Sequence, residues 1–67
     1  MITIRCNGET RQVADGTTVT AFIVSLDMEP DHVVVECDGR ILDRAEYDQV
    51  VLAEGTVLEI MRFVGGG

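Results

Sequence analysis

Val19-Thr20-Ala21-Phe22-Ile23-Val24-Ser25-Leu26 is the stretch whose reading decides the fold. Val19, Phe22, Ile23 and Leu26 fall at i, i+3, i+4 and i+7, a single apolar stripe at helical spacing. Asp15-Gly16 interrupts the chain just before it, and Thr17 or Thr18 supplies a hydroxyl suited to capping the first turn. Pro30 is expected to end the helix and to push Glu29 out of helical geometry. A helix of about two to three turns with one apolar face needs a sheet to lie on. Phe22 belongs to the core between them.

Outward from this helix the pattern changes to period two. Upstream, Ile2, Ile4 and Cys6 share one face of a strand while Thr3 and Arg5 share the other. Asn7-Gly8 follows, a two-residue hairpin signal because both central turn residues need positive φ. Glu9 to Val13 returns as the second strand. Downstream, His32 to Asp38 is β-branched and extended, Asp38-Gly39 is a second hairpin turn, and Arg40-Ile41-Leu42 begins a short return. Asp43 to Gln49 is polar without clear period, which predicts a turn or short 3₁₀ segment with Tyr47 packed inward. Val50-Val51-Leu52 anchors this connection to the core. Glu54-Gly55 turns the chain into a last strand, Thr56 to Val64. There Leu58 and Ile60 face the helix, and Val57, Glu59, Met61 and Phe63 face away.

Composition narrows the function. A 67-residue chain buries only about 60% of its unfolded surface. Its 46% hydrophobic content and mean hydropathy of +0.21 argue for a folded core. So small a core leaves little room for an enclosed active-site pocket, which counts against a self-sufficient enzyme. The net charge of −7 opposes nucleic-acid binding, which needs clustered cations, and suits steering towards a basic partner surface. The five cations are all arginine (Arg5, Arg11, Arg40, Arg44, Arg62) and scattered; with no lysine there is no side-chain amine for isopeptide chains. No apolar run approaches the roughly 20 residues that span a bilayer, so no membrane contact is expected. Met1-Ile2-Thr3 runs straight into a strand pattern without a signal peptide, from which a cytoplasmic protein with reduced thiols is expected. Cys6 and Cys37 could in principle pair, but read as small hydrophobes, with no histidine or basic cluster beside them to activate a thiolate. His32, the single histidine, lacks a nucleophile-and-carboxylate arrangement and reads as an ordinary residue at a strand start. No metal site is expected.

The core-building pattern stops at Val64, and Gly65-Gly66-Gly67 protrudes beyond it. Glycines bring no side chain to a core and lose the most backbone freedom when ordered. They make a thin tether able to enter a channel too narrow for a β-carbon. The α-carboxylate of Gly67, with a reference pKa of about 3.3–3.7, is ionised at neutral pH. The expected division is a folded domain over 1–64 and a flexible tail over 65–67. Met61 and Phe63, with the adjoining Val64, form a candidate docking patch next to that tail.

The order of elements and the closing Leu58-Glu59-Ile60-Met61-Arg62-Phe63-Val64-Gly65-Gly66-Gly67 resemble the ThiS family of ubiquitin-like sulfur carriers in thiamine biosynthesis. Asn7-Gly8, Gly16-Thr17-Thr18-Val19 and Val33-Val34-Val35-Glu36 before Asp38-Gly39 extend the resemblance over nearly the whole chain. One departure is Gly55-Thr56, where the family often has Gly-Asp before the last strand. The resemblance implies an α+β fold of β-grasp type: a mixed sheet of four to five strands, one helix packed on one face, and a short 3₁₀ segment. It also implies a co-substrate rather than an enzyme, with no bound cofactor. A ThiF-type adenylating enzyme would use ATP and magnesium to join the Gly67 carboxylate to AMP. Sulfur from a cysteine desulfurase system would convert it to a thiocarboxylate, and thiazole synthase (ThiG-type) would accept that sulfur. Gly65 and Gly66 would thread the terminus into each partner. The small subunit of molybdopterin synthase, or a carrier for cysteine or tRNA thiolation, shares this tail chemistry. A non-covalent ubiquitin-like interaction module and a thiol enzyme using Cys6 or Cys37 are the readings from other classes.

Overall fold

The computed structural model describes residues 1–63; the expected tail, 65–67, and Val64 lie outside the described residues. Two hairpins frame the helix. Strand β1 (Ile2–Cys6) pairs antiparallel with β2 (Glu9–Val13) through a turn in which Asn7 has φ 52° and Gly8 φ 82°. Those angles are the type I′ geometry whose twist matches the flanking strands. Strand β3 (Val33–Cys37) turns through Asp38 (φ 50°) and Gly39 (φ 86°) into the short β4 (Arg40–Ile41).

The last strand, β5 (Val57–Arg62), enters between the hairpins and closes one five-stranded sheet of order β2-β1-β5-β3-β4. It runs parallel to β1, with Arg5 beside Val57 and Cys6 beside Leu58. It runs antiparallel to β3 from Val33–Arg62 to Cys37–Leu58. This mixed sheet with a single crossing helix is the β-grasp arrangement, and it puts the final strand at the centre.

Helix α1 (Val19–Ser25) lies on one face. Thr18 is its cap: extended at φ −83° and ψ 165°, it accepts a hydrogen bond at Oγ1 from the Ala21 amide at 3.1 Å. Val19, Phe22 and Ile23 pack against Ile4, Cys6, Val35, Leu58 and Ile60 in a single core. The helix ends earlier than Pro30. Its last residue is Ser25, and Asp27 has turned to φ 61°, which stops the helix without proline. Pro30 instead opens a 3₁₀ turn over Pro30–His32, where its fixed φ suits the first position. Glu29 before it is extended, as the preceding residue of a proline should be.

The connection from β4 to β5 wraps around the helix start. A 3₁₀ turn, Arg44–Glu46, is closed by a capping box between Asp43 and Glu46. The Arg40 guanidinium grips Glu46 with two hydrogen bonds, and with the Asp43 amide it holds that carboxyl below the usual glutamate range. Tyr47 is buried and donates its hydroxyl to the Val33 carbonyl at 2.9 Å, so the ring fills the core while its polar end is satisfied. Val51 bridges to Thr18, and Leu52 supplies the buried anchor. Among the described residues, no helix is long and apolar enough to cross a membrane.

Candidate functional site

Strand β5 separates two surfaces by simple alternation. Leu58 and Ile60 point into the core, while Val57, Glu59 and Met61 point to the sheet face that the helix leaves open. Phe63 continues the open-face series one step beyond the strand, its amide donating to the His32 carbonyl at 3.2 Å. Met61 is 52% exposed and Phe63 44%. They have apolar neighbours: Val34 lies beside Met61 across the β3–β5 ladder, and exposed Ile41 extends the same face on β4. The structure therefore places Met61 and Phe63 together on one surface, at the end of the chain's described part. Val64, Gly65, Gly66 and Gly67 lie outside the described residues.

This apolar surface has an acidic interior. Glu36 and Glu59 stand directly opposite each other on β3 and β5, with Ile41 on the other side of Glu36. Like charges in that relation repel. Among the described residues neither takes part in an ion pair. A facing surface that offers a cation between apolar side chains would relieve both.

The strand's other side is held by Asn7, whose turn role the local sequence shows but whose second role it does not. The Asn7 side chain reads the Ile60 backbone as a strand would: Oδ1 accepts from the Ile60 amide at 2.8 Å, and Nδ2 donates to the Ile60 carbonyl at 3.1 Å. The Asn7 amide itself donates to the Leu58 carbonyl at 2.9 Å. Asn7-Gly8 is fully accounted for as a turn, and its second partner is more than fifty residues away, so nothing in the local pattern reveals it. Asp38 is similar: its carboxylate accepts from the Val57 amide at 2.9 Å and fixes the start of β5.

The thiols are poor candidates for chemistry. Burial is the main cause that raises both Cys6 and Cys37 above the ordinary thiol value, so little thiolate forms at neutral pH. They flank Leu58 from β1 and β3, two strand spacings or roughly 9.6 Å apart, beyond bridging reach; both are free. His32 sits in the exposed 3₁₀ turn with Nδ1 3.2 Å from Glu29 and no nucleophile beside it. A shallow groove of about 310 Å³ between β2 and α1, lined by Met1, Gln12, Val13, Thr17, Ala21 and Phe22 among others, has no carboxylate, imidazole or thiol side chain in its lining.

Comparison with known proteins agrees with this geometry. The model of a family described as "ThiS family" matches residues 4–67. A thiazole synthase of Magnetococcus marinus is 36% identical over 64 residues, which are 96% of this chain and 20% of that protein. The chain thus spans about a fifth of the length of the thiazole synthases it matches. The sulfur carrier protein ThiS of Bacillus subtilis is 36% identical over 53 residues, 79% of this chain and 80% of that one. A crystal structure of the thiamine biosynthesis protein (ThiS) of Geobacter metallireducens superposes with a TM-score of 0.83. It is 29% identical, covering 98% of this chain and all of the other.

Proposed function

The chain belongs to the ThiS family, and on that footing we propose that it is a sulfur carrier for thiamine biosynthesis whose reacting group is the carboxyl end of its glycine run. The observation that carries this reading is that the family match extends through Gly67. The glycines lie within the matched span, and β5, at the centre of the sheet, is the last described element before them. The body, 1–64, acts as a handle and 65–67 as the tether.

The chemistry follows from the weakness of a carboxylate as an electrophile. A ThiF-type enzyme, using ATP and Mg²⁺ of its own, lets a Gly67 carboxylate oxygen attack the α-phosphate, with pyrophosphate leaving. The resulting acyl-adenylate is open to attack by a persulfide from a cysteine desulfurase system. AMP departs, and thiol cleavage of the acyl disulfide leaves a thiocarboxylate. A ThiG-type thiazole synthase then takes the sulfur. The match of this chain to a fifth of two thiazole synthases supports that acceptor. The acidic, apolar open face suits a partner with a basic residue set among apolar ones, and its field aids encounter.

Gly66 tests the tether. A side chain there widens a backbone that has to reach a narrow site, and the core lies upstream of it. Gly66→Val is expected to block formation of the AMP adduct while leaving the thermal midpoint unchanged. An adduct rate equal to wild type contradicts the reading.

A further inference from the structure

Ile60 is the last position of β5 with a neighbour on each side: Val35 in the β3 register and the Asn7 side chain where β1 has ended. Towards β3, pairing continues through Arg62, and the Phe63 amide still reaches His32. Towards β1, residue-by-residue pairing covers only Arg5–Val57 and Cys6–Leu58, because β1 turns away at Asn7. The chain would lose its β1-side support two residues sooner if Asn7 did not turn its side-chain amide onto Ile60. The donor and acceptor of that amide match the carbonyl and amide of one peptide residue, so it continues the ladder after the strand has left.

We infer that Asn7 is a positioning residue for the reacting terminus: its side chain clamps β5 at Ile60 and so sets the direction in which the chain leaves the sheet. This rests on the sulfur-carrier reading above. Beyond Ile60 the strand is paired on its β3 side alone, through Arg62 and the Phe63 amide, so the clamp decides whether that last stretch is braced from one side or two as it leaves the sheet. Misplacing reacting atoms by as little as about 1 Å can cost about 100-fold in rate. The left-handed backbone of Asn7 explains why its side chain can do this. At φ 52° the residue belongs to the turn, yet it projects onto the neighbouring strand.

Two substitutions keep the turn and grade the clamp, since Gly-Gly and Asp-Gly also suit this turn type. Asn7→Gly removes both side-chain hydrogen bonds. Asn7→Asp keeps the acceptor for the Ile60 amide but places a second oxygen against the Ile60 carbonyl. Adenylation by the ThiF-type enzyme is measured against carrier concentration for the full chain and both variants, alongside amide exchange at Ile60. The clamp predicts that kcat falls roughly 10-fold for Asn7→Gly and less for Asn7→Asp, with KM within about twofold. Exchange at Ile60 is expected to quicken in Asn7→Gly and to stay slow in Asn7→Asp.

A purely structural role gives the opposite split: a smaller folded fraction raises apparent KM and leaves kcat alone. That outcome, or equal kcat in all three proteins, overturns the inference. Unchanged Ile60 exchange in Asn7→Gly contradicts the clamp itself. Failure of the wild-type chain to be adenylated overturns the sulfur-carrier reading, and the inference falls with it.

Discussion

Phe63 shows what a single side chain is asked to do. It contributes nothing to the core on the helix side, yet 44% of it is exposed beside Met61 on the open face. Phe63→Asp is expected to weaken binding to the adenylating enzyme by roughly 1–2 kcal/mol, as loss of an aromatic anchor does. Folding stability should change by no more than about 0.5 kcal/mol, because the residue is outside the core. Titration calorimetry and a thermal melt separate the two; equal affinity for wild type and variant removes the docking role. The orientation of Met61 and Phe63 was legible, because alternation from buried Leu58 and Ile60 fixes it. Tyr47 was legible too, as a lone aromatic in a polar connection. The second duties of Asn7 and Asp38 were not. Each residue is already explained by its turn, and its hydrogen bond to β5 depends on a strand that folds in from far along the chain.

At the level of elements, helix α1 carries the core but has only seven residues, too few to stand alone in water. Its cap therefore weighs more than it would in a long helix. Thr18→Ala is expected to cost about 1 kcal/mol, read as a fall in thermal midpoint of about 4–8 °C. A change below about 1 °C would show that the hydrogen bond to the Ala21 amide contributes little. The helix start was legible as Thr17 or Thr18, with local geometry choosing Thr18. Its end was not, because Asp27 adopts a left-handed conformation that no residue pattern announces, and Pro30 finds use in the next turn. The central place of β5 was equally hidden. Periodicity says that a strand exists and which face is apolar; which strands become its neighbours is decided by long-range packing.

Over the whole molecule, the arrangement gathers the exposed Met61 and Phe63, the facing Glu36 and Glu59, and the Asn7 side-chain bonds to Ile60 around one strand. That strand leads into the glycine run. The helix packs on the opposite face, with the wrapped connection around its start. In this account the body positions and presents, and the glycine end reacts. The direct measurement is the intact mass of the protein after incubation with a ThiF-type adenylating enzyme, ATP and a persulfide source, with fragmentation to locate the change. The account predicts one oxygen exchanged for sulfur at Gly67, absent when ATP is omitted. Sulfur found on Cys6 or Cys37 instead, or a mass unchanged with active enzyme, would contradict it.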